Sequence, residues 1–145
     1  MYDEELVREI LSQILTALDI VLDRFSPVKT VDDFTSTPYG KEKLDALCMQ
    51  LIAIGEALKN LDKVTNHLLL AKYPQINWKG AKAMRDIISH YYFDIDAEII
   101  FEVCKNKIQP LRDTIRLDDR SYVRQSVRGN GGHSIFLVST KKINK

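Results

Sequence analysis

The sequence has little with which to bind a metal ion or to form a disulfide bond. It contains two cysteines, Cys48 and Cys104, far apart in the chain, and only three histidines. No pair of cysteines stands at the spacing of a zinc site, so we expect neither a bound metal nor a resident cofactor. Two isolated cysteines are typical of reduced core residues in a cytoplasmic protein.

Long apolar runs are also missing. No stretch approaches the roughly 20 consecutive apolar residues that span a bilayer. The acidic start of the chain, MYDEELVREI, does not resemble a signal peptide. We therefore expect a cytoplasmic protein without a membrane anchor, and its 145 residues suffice for about one domain with a substantial core.

Acidic residues are absent from the last 26 residues, although the net charge of the whole chain is only +1. All 20 Asp and Glu residues lie in residues 1–119, which hold 15 of the 21 Lys and Arg and so carry a net charge of −5. The last 26 residues carry +6. The main part of the chain is therefore no general binder of polyanions, whereas its end is basic enough to attract one.

The spacing of apolar residues predicts helices over the first 118 residues and no strand there. Apolar residues recur every three or four positions, which predicts five helices, at about residues 3–25, 39–61, 64–72, 78–92 and 96–116. Pro110 should kink or divide the last of them. We predict an all-α fold over residues 1–118, an antiparallel bundle of about four to five helices. Residues 119–145 are predicted to form a basic tail that is flexible or packs against a partner.

The fourth predicted helix carries polar residues in an unusually apolar segment, MRDIISHYYFDID, residues 84–96. Asp86 and His90 are one turn apart, so the carboxylate can accept a hydrogen bond from the imidazole and fix its tautomer. Arg85 and Tyr92 share a helix face, but Arg85 and His90 are about 140° apart around the axis. One site containing Arg85 and His90 therefore requires that the helix end or distort at His90, or that a second chain contribute.

These residue types define a possible chemistry. A histidine can act as general acid or base, and an arginine binds phosphate and the charge that develops during phosphoryl transfer. Without metal ligands, the pair suits RNA cleavage in which the 2′-hydroxyl attacks the adjacent phosphate. The alternative is an ion pair that ties two helices together, and the residues alone leave both interpretations open.

The pattern R-x-x-x-x-H-x-Y, formed here by Arg85, His90 and Tyr92, resembles the signature of the HEPN superfamily and, more closely, of the HepT-like toxins. Two longer segments extend the similarity, IGEALKNL at residues 54–61 and YPQINWKGAKAMRDIISHYYFDID at residues 73–96. The resemblance covers about residues 2–117.

The resemblance implies a homodimeric helical bundle, or a higher oligomer, that acts as the toxin of a type VII-like toxin–antitoxin pair. Arg85 and His90 would be the catalytic residues of a metal-independent endoribonuclease acting on RNA. Asp86 would orient the site, and Glu56 on the second helix is a candidate partner of Arg85. The implied partner is a minimal nucleotidyltransferase antitoxin that transfers AMP to Tyr92.

A second hypothesis keeps the fold without the catalysis. In it, the chain is a dimeric helical subunit that binds a minimal nucleotidyltransferase and cuts no RNA. Beside the motif, Tyr91 and Phe93 are expected to pack in the core or at a dimer contact rather than to stack on a nucleic-acid base.

Overall fold

The computed structural model describes residues 2–91 and 93–130, the last ten of them by their backbone alone. The long helices are α1 (Glu4–Phe25), α3 (Pro38–Val64), α4 (Trp78–His90) and α6 (Ile108–Asn130), and the short ones are α2 (Asp32–Thr35) and α5 (Ala97–Glu102). A 3₁₀ turn (Leu70–Lys72) lies between α3 and α4, and a π-helical turn (Val103–Lys107) joins α5 to α6. The predicted all-α fold is confirmed for this part of the chain. None of its helices is long and apolar enough to cross a membrane.

Side-chain caps explain where the helices begin. The Thr37 hydroxyl accepts a hydrogen bond from the Gly40 backbone N–H at 3.0 Å at the start of α3. The Asn77 side chain caps α4 in the same way, and the Asp96 carboxylate caps α5. A side-chain oxygen at this position satisfies backbone N–H groups that have no partner within the helix. All three starts were predicted from the sequence, and all three are confirmed.

The core lies between α1, α3 and α6, and α4 packs on α3. Its largest fully buried side chains come from several elements: Leu11, Ile14, Leu18, Phe34, Leu47, Leu51, Ile54, Leu58, Leu61, Leu69, Ile108 and Ile115. Cys48 and Cys104 are buried free thiols in this core. Burial raises the pKa of Cys48 to about 11 and that of Cys104 to about 12, so both thiols stay protonated at neutral pH.

The helices α3 and α4 run antiparallel, as their contacts show. One contact pairs Glu56 with Arg85, and another, farther along α3, pairs Asp62 with Lys82. Position along α3 rises while position along α4 falls, as in two neighbours that run in opposite directions. The contact region between these two helices, the α3–α4 seam, carries the candidate site.

The prediction of a helix over about residues 64–72 is wrong. Helix α3 continues to Val64, and the chain then turns through Asn66 and His67, whose φ angles are 54° and 62°. These are left-handed conformations that few non-glycine residues adopt, and they end the helix. Only the 3₁₀ turn at Leu70–Lys72 forms before Pro74.

The last predicted helix is divided, as Pro110 suggested, but it ends much later than predicted. The π-helical turn immediately precedes the first turn of α6, in which Pro110 lies, and α6 continues past Arg116 to Asn130. The Tyr73 hydroxyl donates a 2.8 Å hydrogen bond to the buried Asp118 carboxylate. This bond holds α6 to the body beyond Ile115, the last buried apolar residue in the part of α6 whose side chains are described. Residues 131–145 of the predicted tail lie outside the described residues, and the flexibility or partner packing of the tail stays a prediction.

Candidate active site

Gly55 sets how closely α3 and α4 approach at the candidate site. A Cβ atom added to Gly55 would lie 3.0 Å from the backbone nitrogen of Arg85 and 3.3 Å from its Cβ. Only glycine leaves room for a backbone approach this close. The approach fixes the start of the Arg85 side chain against α3.

The Arg85 guanidinium lies between two carboxylates, one from each helix. Its Nε is 3.3 Å from Oε2 of Glu56, and its Nη1 donates to Oδ1 of Asp86 at 3.1 Å. The Lys59 ammonium donates to the other oxygen of Asp86, also at 3.1 Å. We call these four residues the Arg85 cluster. The Glu56–Arg85 contact expected from the sequence is present, and its part in catalysis stays a prediction.

The Arg85 cluster is open to solvent. The side chains of Arg85, Glu56 and Asp86 are 46%, 62% and 57% exposed. Ion pairs this exposed contribute only about 0–1 kcal/mol, because water and salt screen them. The hydrogen bond from Lys59, and to a smaller extent the one from Arg85, holds the pKa of Asp86 below its usual value, so its carboxylate is ionised at neutral pH. Arg85 can therefore exchange a carboxylate for a phosphate at small cost.

His90 is the last residue of α4. The following residue, Tyr91, has φ −105° and ψ 35°, outside the helical range. The two rings meet edge to face, with their centroids 5.0 Å apart, and both side chains are exposed. His90 thus lies where α4 ends, which is one of the two conditions under which Arg85 and His90 can serve one site. Its own backbone is still helical, however, so the end of α4 does not by itself turn the imidazole toward Arg85.

Asp86 does not contact His90 in the described chain. Its two carboxylate oxygens bind Arg85 and Lys59 instead, and the imidazole has no hydrogen-bond partner among residues 2–91 and 93–120. The orienting role of Asp86 stays a prediction. Tyr92, the predicted modification site, lies outside the described residues.

An open groove of about 350 Å³ lies beside His90, between the end of α4 and the start of α5. We call it the α4–α5 groove; residues that define it are Ile87, Tyr91, Asp94, Ile95, Asp96 and Ile99. Tyr91 is 57% exposed, and Phe93 is 98% exposed. The expectation that they pack in the core is therefore wrong, because α4 ends before them and the chain turns outward. Their packing at a dimer contact stays a prediction.

A second charged cluster lies farther along the seam. The Asp62 Oδ2 atom accepts a hydrogen bond from Lys82 Nζ at 2.9 Å and lies 2.7 Å from His67 Nδ1. We call these three residues the Asp62 cluster. Burial favours a higher pKa for Asp62, but the hydrogen bonds from His67 and Lys82 outweigh it and hold the pKa below its usual value.

Two contacts of the seam were missed by the sequence analysis. Lys59 follows Glu56 by three positions, so a shared helix face could have linked it to the site. No comparable pattern in the sequence indicated the contact of His67 with Asp62, because it depends on two consecutive residues in left-handed conformations.

The arrangement is suited to acid–base chemistry at a phosphate. It offers a solvent-accessible imidazole at a helix end and a guanidinium that can exchange its ligands. In the part of the chain that the structure describes, no three His, Cys, Asp or Glu side chains are placed to hold a metal ion together.

Comparison with known proteins identifies a family for most of the chain. The model of the family described as "Ribonuclease HepT-like" matches residues 14–117, which include Arg85 and His90. A Methanocaldococcus jannaschii protein named "Putative RNase" is 37% identical over 102 residues, or 70% of this chain and 78% of that protein. A Thermococcus cleftensis protein named "Probable ribonuclease HepT" is 28% identical over 72% of this chain and 88% of its own length.

One further relative is much longer than the region of similarity. It is a Methanocaldococcus jannaschii protein named "Gamma-glutamylcyclotransferase and putative RNase", 33% identical over 75% of this chain but only 46% of that protein. No solved structure matches the chain.

Proposed function

The chain belongs to the HepT-like ribonuclease family, and we propose that it is a metal-independent endoribonuclease with Arg85 and His90 as catalytic residues. Two observations support this proposal. Both side chains are solvent-accessible near the end of α4, and the partners of Arg85 among the described side chains are exposed carboxylates that a phosphate can replace.

In the proposed reaction, the RNA 2′-hydroxyl oxygen forms a bond to the adjacent phosphorus, and the bond from that phosphorus to the 5′-oxygen of the next nucleotide breaks. The His90 imidazole accepts the 2′-hydroxyl proton, and an imidazolium returns a proton to the leaving 5′-oxygen. Arg85 binds the non-bridging oxygens and stabilises the negative charge that they gain. The products are a 2′,3′-cyclic phosphate and a 5′-hydroxyl.

We propose that the working enzyme is a homodimer. Arg85 and His90 point about 140° apart around a regular helix. In a dimer, Arg85 of one copy and His90 of the other can face the same site. Large exposed apolar side chains, Met49 at 65% and Phe93 at 98%, give such a contact apolar surface to bury.

We further propose that the chain is a toxin controlled by a minimal nucleotidyltransferase. The Tyr92 oxygen would attack the α-phosphorus of ATP and displace pyrophosphate, which leaves AMP on the tyrosine. Because α4 ends at His90, helical spacing no longer supports a shared face for Arg85 and Tyr92. The support is that Tyr92 lies two residues from His90, where a bulky anion competes with RNA for the site.

The non-catalytic alternative has one observation in its favour. Glu56 and Asp86 flank Arg85 with negative charge, and residues 1–119 carry a net charge of −5, whereas RNA affinity is largely electrostatic. In that case the chain would bind a nucleotidyltransferase as a dimeric helical subunit and would leave RNA intact.

RNA cleavage without divalent metal tests the enzymatic proposal. Purified, unmodified wild-type protein should cut RNA in EDTA, and His90→Ala and Arg85→Ala should each lower the rate about 100-fold or more. Arg24→Ala, which removes an exposed arginine from α1, is the matched control and should cut normally. Absence of cleavage by wild type, or equal cleavage by all variants, would favour the non-catalytic subunit.

Mass spectrometry tests the proposed regulation. Protein co-expressed with the proposed nucleotidyltransferase partner should gain the mass of one or more AMP groups, and Tyr92→Phe should abolish the gain. Tyr39→Phe removes another exposed tyrosine, 70% exposed, and should leave the modification unchanged. AMP on a residue other than Tyr92 contradicts the proposed site.

A further inference from the structure

The α4–α5 groove has the size and lining of a site for one flat, largely apolar ligand. Its volume of about 350 Å³ is near the lower end of the range of about 300–1,000 Å³ found for small-molecule sites. Isoleucines form most of its wall, and Tyr91 supplies an aromatic face. Aromatic and aliphatic walls of this kind hold nucleobases that are not paired in a duplex.

The position of the groove links it to the proposed chemistry. Tyr91 lines the groove and also contacts the His90 ring, with centroids 5.0 Å apart. A ligand in the groove therefore lies one side chain away from the imidazole. A base held there would bring its own ribose, and so its 2′-hydroxyl, to the His90 side.

The negative charge of the groove disfavours a phosphate and favours the hydrogen-bond donors on the edge of a nucleobase. Asp94 and Asp96 both line it, and two carboxylates repel a phosphate. The Asp96 Oδ1 atom is already occupied, because it caps α5 by accepting hydrogen bonds from the backbone N–H groups of Glu98 and Ile99. The Asp94 carboxylate accepts no hydrogen bond from residues 2–91 or 93–120, so it is available to a ligand.

We propose that the α4–α5 groove binds a guanine base of the RNA, that of the nucleotide immediately 5′ of the cleaved bond, and that Asp94 determines this specificity. Guanine presents two neighbouring donors, N1–H and the N2 amino group, which match the two oxygens of one carboxylate. On the same edge, adenine, cytosine and uracil have no two neighbouring donors, so one oxygen of the carboxylate would face an acceptor, which it repels. Tyr91 contributes a stacking surface that any base can use.

This inference rests on the proposed ribonuclease function, so the test has one arm that requires cleavage and one that does not. In the first arm, wild-type protein cuts a random-sequence RNA pool, and sequencing identifies the nucleotide 5′ of each cleaved bond. Guanine should be preferred over the other bases by about 10-fold or more, the discrimination expected of a bidentate contact. Replacing guanosine with inosine, which lacks the N2 amino group, should remove most of that preference.

Two variants separate specificity from general binding. Asp94→Asn should abolish the guanine preference, whereas Glu9→Gln, which removes one exposed carboxylate from α1, should preserve it. Tyr91→Leu should slow cleavage after every base by about 5-fold or more, and guanine should remain the preferred base. A wild-type pool with no base preference, or an Asp94→Asn pool identical to wild type, overturns the proposal.

The second arm measures binding of guanosine 3′-monophosphate and adenosine 3′-monophosphate by calorimetry. The guanosine nucleotide should bind more tightly to wild type, and the difference should vanish in Asp94→Asn. If wild type cleaves no RNA but shows this difference, the proposed function fails and the groove assignment stands. Equal binding of the two nucleotides overturns the assignment.

A second copy of the chain is the competing occupant of the groove. Sedimentation of Ile99→Ser, which alters an exposed wall residue, distinguishes the two. Conversion of a dimer to a monomer with unchanged binding of guanosine 3′-monophosphate would assign the groove to the contact between copies and overturn the proposal. An unchanged oligomeric state with weakened nucleotide binding supports it.

Discussion

The two charged clusters along the α3–α4 seam use similar residues in opposite ways. In the Asp62 cluster, the carboxylate is 10% exposed and binds two partners through one oxygen. In the Arg85 cluster, the carboxylates of Glu56 and Asp86 are 62% and 57% exposed. Hydrogen bonds to a buried charge contribute substantially to stability, whereas exposed pairs contribute little. The seam therefore separates a cluster that stabilises the fold from one whose partners can be exchanged.

Removing the buried carboxylate should have the largest effect on stability. Asp62→Asn should lower the free energy of unfolding by about 1–3 kcal/mol, because Lys82 loses a charged acceptor in a mostly buried position. Asp86→Asn is the matched control and should change it by no more than about 0.5 kcal/mol. Urea denaturation measures both. Similar losses in the two variants would remove the distinction between the clusters.

Acid should reveal the contribution of Asp62 when wild type is compared with Asp62→Asn, because the two proteins share the exposed Arg85 cluster. The pKa of Asp62 is lowered in the folded state, so its stabilising contribution is present above the unfolded value of about 3.9 and is lost as pH falls through the folded value. Wild type should therefore lose more unfolding free energy than Asp62→Asn between pH 7 and pH 3. Parallel pH curves for the two proteins would contradict this.

A methyl group at the Arg85 end of the seam should cost less stability but more activity. In Gly55→Ala, the new Cβ would lie 3.0 Å from the Arg85 nitrogen, and overpacking of about 1–3 kcal/mol is partly offset by the better helix propensity of alanine. We expect a net loss of about 1 kcal/mol and slower RNA cleavage, since Arg85 shifts.

Gly80→Ala is the control for Gly55→Ala, because it also adds a methyl group to a helical glycine, but the atoms nearest to its Cβ belong to the side chain of Asn77, the cap of α4, and not to Arg85. It should leave the cleavage rate of the folded protein unchanged. A cleavage loss as large as that of Gly55→Ala would mean that the approach of the backbones at Arg85 is not what matters.

Removing the charge of Glu56, the α3 partner of Arg85, should have the smallest effect on stability and a measurable effect on RNA binding. Glu56→Gln should change the unfolding free energy by less than about 0.5 kcal/mol and strengthen RNA binding a few-fold, because Arg85 loses a competing anion. Glu9→Gln controls for the change in net charge. Weaker binding by Glu56→Gln would show instead that Glu56 positions Arg85 for RNA.

Local signals in the sequence predicted much of the fold. Caps such as Thr37, Asn77 and Asp96 act within one helical turn, so their effect can be seen in a short segment. The failures depend on distant partners. The hydrogen bond from Tyr73 to Asp118 holds α6 to the body across 45 positions of sequence, and no local pattern encodes such a contact.

The candidate site divides in the same way. Spacing alone showed that Arg85 and His90 diverge on a regular helix, and α4 does end at His90. The engagement of Asp86 by Lys59 and the existence of the α4–α5 groove depend on how α4 sits against α3 and α5. The position of one helix against another follows from the packing of whole helices, and the motif alone does not encode it.

The π-helical turn at Val103–Lys107 acts as a phase shift in the last helical segment. An extra residue in one turn rotates every later side chain by about 100° relative to an uninterrupted helix. Helix α5 can therefore present Ile99 to the groove and Ile100 to the core, while α6 packs its own apolar face on α1. Deleting one residue from this turn would put the two halves back in phase and force a choice between the groove wall and the α1 contact.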